Sequence, residues 1–140
     1  MTVTVAYPDA ELVLMALLEA KHPEATVDTW VSEGDVDAPF IHVMRIGGSP
    51  DTGDVTDYPL MRVACYGNTR QDAWNLSRAV EVDILGHRHR NIVVPDLGPV
   101  LLDAAEIMVG GNLTPDLAPD DRRVVVDYIL GFRRQATNSP

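Results

Sequence analysis

Residues Arg123 to Arg133 (RVVVDYILGFR) place Val124, Val126, Tyr128, Leu130 and Phe132 at strictly alternating positions. Successive side chains of a strand point to opposite faces, so this period commits the segment to a strand with one dry face. A sheet built around such a strand needs a second layer of structure to cover that face. The rest of the chain supplies both the further strands and the cover.

Two segments have helical spacing. The first follows Asp9, a good N-cap, with Glu11 suited to the positive end of the helix dipole. Leu12, Met15, Ala16 and Glu19 fall on one stripe, and Val13 and Leu17 widen it, until His22-Pro23 ends the helix. The second is predicted from an Asn68 cap, with Gln71 as capping-box partner, to Leu85. Ala73, Leu76, Val80 and Ile84 recur at helical spacing, with Trp74, Ser77 and Glu81 on the flank. Gly86 suits the helix end, and His87-Arg88-His89-Arg90 place positive charge at the negative end of the dipole.

Three strands are predicted between the helices: Thr26 to Glu33, Phe40 to Ile46 and Tyr58 to Tyr66. The last two form an antiparallel pair, joined by a long acidic connection that opens Gly47-Gly48-Ser49-Pro50. Val100 to Val109 reads as extended, although its Leu and Ala content also allows a helix. Pro115 to Asp121 reads as a connection, and 135–140 as a flexible tail. The order is helix, three strands, helix, two strands. This indicates one α+β domain over residues 1–140: two main helices packed on a twisted, mostly antiparallel β-sheet of about five strands.

The 140 residues suffice for a core without staples, since a domain of this size buries roughly two-thirds of its unfolded surface. The apolar share of 46% and charged share of 23% fit a soluble globular chain. A net charge of −10 argues against neutralising phosphates or docking on an anionic membrane. Lys21 is the sole lysine. Met1 to Tyr7 shows no basic region ahead of an apolar secretory stretch, and Leu12 to Leu18 is too short to span a bilayer.

No catalytic or cofactor motif is composed. The lone cysteine, Cys65, lies in the apolar run Met61 to Tyr66 and reads as a small buried hydrophobe. Phosphate-binding glycine loops and a nucleophile elbow are missing. His87 and His89 have no third ligand nearby, and His22 and His42 have no visible partners. Asp51, Asp54 and Asp57 lack calcium-loop spacing and a closing glutamate. Trp30 and Trp74 read as core or interface anchors. No metal and no cofactor is expected.

The run Tyr58-Pro-Leu-Met-Arg-Val-Ala-Cys-Tyr-Gly67, entering Asn68-Thr-Arg-Gln-Asp-Ala-Trp74 and the helix to Leu85, resembles the tail terminator proteins of long-tailed phages. The likeness continues through a strand around Leu101 to Val109 and a last strand, Asp121-Arg-Arg-Val-Val-Val-Asp-Tyr128, ending at Arg133. It is one of arrangement, and it covers the chain from Thr26 onward.

The resemblance implies a structural virion protein, not an enzyme. Copies would form a ring, usually of six, at the tail-neck junction, assembled in the host cytoplasm. The ring would cap the tail tube, stop its polymerisation and offer the surface for the filled head. Partners would be the chain itself, the tail tube protein and a head-completion or connector protein. DNA would pass through without specific binding, and an acidic lumen would favour passage by repelling phosphates. Candidates for that lumen, or for a subunit or tube contact, are Asp51, Asp54, Asp57, Arg45 and Arg62. Three other readings are a head-tail connector of the same neck, a small-ligand-binding domain, and an enzyme built on Asp103, Glu106, His42 or Cys65.

Overall fold

The computed structural model describes residues 2–30, 37–113 and 122–139. In chain order the elements are β1 (Thr2–Ala6), α1 (Ala10–Lys21), β2 (Thr26–Asp28), β3 (Phe40–Pro50), β4 (Thr56–Tyr66), α2 (Arg70–Gly86), β5 (Arg90–Val94), β6 (Gly98–Leu102), β7 (Ala104–Leu113), β8 (Arg123–Arg133) and β9 (Gln135–Ser139).

The body is a five-stranded mixed sheet in the order β2-β3-β4-β8-β7. Only the β2–β3 pairing is parallel; the other three are antiparallel. The alternating strand, β8, lies inside the sheet between β4 and β7, where its apolar side has most to pack against. Register puts Ile41, Cys65 and Val124 in one row, Val43, Val63 and Val126 in the next, and Met61 beside Tyr128. All eight are buried. All but Val124 form one core with α1, α2 and the inner side of the β5–β6 hairpin, namely Ile92, Val94, Val100 and Leu102. Helix α1 packs over β2, β3 and β5, and α2 over β4, β8 and β7.

The alternate positions of the same strands form the second face: Phe40, Tyr66 and Arg123, then His42, Ala64 and Val125, then Met44, Arg62 and Asp127. Phe40 and Tyr66 meet edge to face at 5.9 Å. Arg62 holds Asp127 through paired bonds of 2.9 and 3.1 Å, and those bonds raise the guanidinium pKa further above its ordinary value.

Several local expectations need correction. Helix α1 is capped by Asp9, whose carboxylate accepts from the Glu11 and Leu12 amides. Its buried side, however, is Ala10, Val13, Leu14, Leu17 and Leu18, and Leu12 is exposed. The run Leu12 to Leu18 is apolar almost all round, so spacing alone leaves the inward side undetermined. Helix α2 is capped by Thr69 rather than Asn68. Its buried residues are Ala73, Ser77, Val80 and Ile84, and Gly86 is its last residue.

The strand expected over Thr26 to Glu33 ends at Asp28, whose carboxylate accepts from the Thr29 and Trp30 amides and turns the chain. Residues 31–33 of that segment, and the whole connection Pro115 to Asp121, lie outside the described residues. The segment Val100 to Val109 is extended as expected, but divides at Asp103 into β6 and β7, which belong to different sheets. Strand β5 was unexpected. Residues 135–139, expected as tail, form β9 against β1.

Candidate assembly surface

The connection between β3 and β4 is shorter and more ordered than its composition suggests. Both strands extend to a tight tip, so that Gly47-Gly48-Ser49-Pro50 pair with Leu60, Pro59, Tyr58 and Asp57. A bulge between Arg45 and Gly47 shifts the register. Gly48 has a φ of +90°, and a Cβ there would collide with the Tyr58 carbonyl, so glycine is required. Only residues 51–55 form the turn.

The acidic residues of this hairpin are engaged within the chain. Asp51 accepts from the Val55 amide at 2.8 Å and the Thr56 amide at 3.3 Å, closing the tip. Asp54 accepts from the Arg134 guanidinium at 3.0 Å, and Arg134 stacks 4.7 Å over the Tyr7 ring. The Tyr7 hydroxyl donates to the same carboxylate at 3.4 Å. Asp57 is buried, and Arg45 reaches both its oxygens at 2.9 and 3.1 Å. Arg45 also donates to the Gly47 carbonyl, and its own amide donates to Glu11 of α1.

The five sequence-selected residues therefore fall into three separate clusters. Arg45 and Asp57 lock the root of the hairpin. Asp51 and Asp54 shape its tip, with Asp54 reaching Tyr7 and Arg134. Arg62 lies on the second sheet face, paired with Asp127. Asp51 and Asp54 retain exposure at the tip, whereas Asp57 does not.

The residues of the enzymatic reading are scattered. Cys65 is on the core face, and burial pushes its thiol pKa up to about 12. His42 is on the opposite face, 3.1 Å from the Thr29 carbonyl. Glu106 is three strands away on β7, about 14 Å at the usual strand spacing. Asp103 pairs with Arg133 at 2.9 Å. Among the described residues, no group of three or more His, Cys, Asp or Glu side chains is placed to hold a metal ion. No described helix is long and apolar enough to cross a membrane.

The remaining surface is notable for its apolar content. Trp30 is 72% exposed, so it is not a core anchor. Trp74 is half-buried beside Gly111, with Arg78 over its ring at 5.8 Å. Ile107, Met108 and Val109 are exposed on β7, the long edge of the body sheet. Val93, Leu97 and Leu101 are exposed on the β5–β6 hairpin. Sequence reasoning missed these groups because it does not distinguish an edge strand from an interior one.

The family model for phage tail termination proteins matches residues 6–139. The chain belongs to that family. The match runs from the end of β1 to β9, and so spans the body sheet, both helices and the β5–β6 hairpin. The tail termination family is one of phage tail structural proteins, which gives this member a place among tail components. A comparison with curated proteins gives no match.

Proposed function

We propose that this tail termination protein closes into a ring of its own copies at the end of the tail tube. There it stops tube polymerisation and presents the surface on which the filled head docks. The observation that carries this reading is the family match across nearly the whole chain. A hexamer is the expected form, with the tail tube protein on one side and a head-completion or connector protein on the other. No catalytic step is assigned to it.

Two features support a ring. Exposed apolar side chains lie along the β7 edge, where a neighbour would cover them. The net charge of −10 suits a lumen through which DNA slides. Asp51 and Asp54, at the hairpin tip, are the candidates for that lumen or for the tube contact. Asp57 and Arg45 act by holding the hairpin in place, and Arg62 is the candidate contact residue on the second sheet face.

Light scattering of the chain, alone and with purified tail tubes, followed by negative-stain imaging, tests the proposal. A ring of several subunits, or protein bound only at one tube end, is the expected result. A chain that stays monomeric and ignores tubes but binds portal-bearing heads would make it a connector instead.

A further inference from the structure

Strands β1 and β9 stand apart from the body sheet. They pair only with each other, five residues against five, from Thr2 opposite Ser139 to Ala6 opposite Gln135. A two-stranded ribbon without a third strand or a helix against it is marginally stable at best in water. Neither strand makes more than marginal contact with another described element. The ribbon is held at its root, where Arg134 is clamped between Tyr7 and Asp54.

Each strand of the ribbon therefore has one backbone edge paired and one edge without a partner strand among the described residues. Natural proteins protect such edges with charged side chains, lysine above all, or with proline within the strand itself. Here the protection is missing: TVTVA and QATNS contain no charged residue and no proline, in a chain that is 23% charged. Thr-Val-Thr-Val is also a run of β-branched residues, the type that favours strands. A ribbon of this kind is suited to pairing with another strand.

The body sheet has an edge of sufficient length. Its β2 edge is only three residues long, whereas β7 runs for ten and exposes Ile107, Met108 and Val109. We propose that the β1–β9 ribbon is an assembly arm that adds to the β7 edge of a second copy of this chain. Donor and acceptor are then different surfaces of one subunit. Such a contact is heterologous and repeats head to tail, which is the geometry a closed ring needs. This inference rests on the self-assembly reading above and specifies the contact that would build the ring.

The test combines strand-breaking and cross-linking variants of the full chain. Thr4→Pro and Thr137→Pro each remove a backbone donor from the ribbon and leave the body sheet untouched. Their far-ultraviolet circular dichroism should match that of the unaltered chain. Their half-assembly concentration in light scattering should rise by about tenfold or more. Separately, Thr137→Cys and Met108→Cys chains are mixed and oxidised; the native Cys65 is buried and stays out of the reaction. Disulfide-linked pairs should form in the mixture and not in either variant alone. Rings that assemble as before from the proline variants, or that form in the mixture without cross-links, would overturn the arm and leave the ring reading standing. An unaltered chain that never self-associates, even on tail tubes, would overturn the ring reading and the arm with it.

Discussion

Replacing Arg45 by methionine should cost far more stability than replacing Asp57 by asparagine, although both changes break the same ion pair. The side chain of Asp57 is 4% exposed and that of Arg45 is 34% exposed. Arg45→Met leaves a carboxylate in the protein without its cation. Removing one partner of a buried pair costs about 3–5 kcal/mol, and the partial exposure of Arg45 places this case near the lower end, roughly 3 kcal/mol. Asp57→Asn leaves a guanidinium that still donates to the Gly47 carbonyl and can turn toward water. Its cost should be about 1 kcal/mol, typical of one lost hydrogen bond. Urea unfolding followed by circular dichroism measures both. With a slope near 1.5 kcal/mol per molar urea, the midpoint should fall by about 2 M for Arg45→Met and by less than about 1 M for Asp57→Asn. Restoring near-original stability in the double variant would confirm that the loss comes from the orphaned carboxylate. Equal losses in the two single variants would refute the reasoning, because the asymmetry of burial would then have no energetic consequence.

Two further outcomes follow from the core. The Tyr128 hydroxyl is buried with no hydrogen-bond partner among the described residues, and burial holds its pKa well above the ordinary phenol range. Tyr128→Phe should therefore raise stability by about 1 kcal/mol in the same urea assay, and a loss of that size would show that the hydroxyl is satisfied. The Cys65 thiol has a pKa raised by burial from 9.0 to about 12, so the folded chain retains a proton that the unfolded chain releases. Its contribution is complete below pH 9 and is lost as pH rises from 9 toward 12. Stability should drop by roughly 1 kcal/mol between pH 8 and 10 from this group, and Cys65→Ala should flatten that decline. Thiol reagents at pH 8 should react with Cys65 only as fast as the chain opens.

The strand over Arg123 to Arg133 and the helix through Ala73, Val80 and Ile84 were legible because each carries a single period, and a single period fixes one inward face. The β3–β4 pair was legible for the same reason, and its connecting tip was not. Turn-rich composition from Gly47 to Pro50 looks like a loop, yet pairing with Leu60 to Asp57 makes it strand. The family resemblance was legible as an order of elements, and the match over residues 6–139 agrees with it.

What the sequence by itself determined was therefore the α+β class, the dry face of β8 and the identity of the two helices. These depend on the spacing of neighbours along the chain, which the sequence contains. Only the tertiary structure decided which side of α1 turns inward, and that Val100 to Val109 breaks at Asp103. At that break the Asp103 amide donates to the Gly131 carbonyl and its carboxylate meets Arg133. Only the tertiary structure gave His22 its partner, Asp83, at 2.7 Å and 61 positions away. It also placed Asp57 in the interior and brought β1 against β9. Each of these depends on contact between residues distant in the chain, and local periodicity contains no information about which distant residue will arrive.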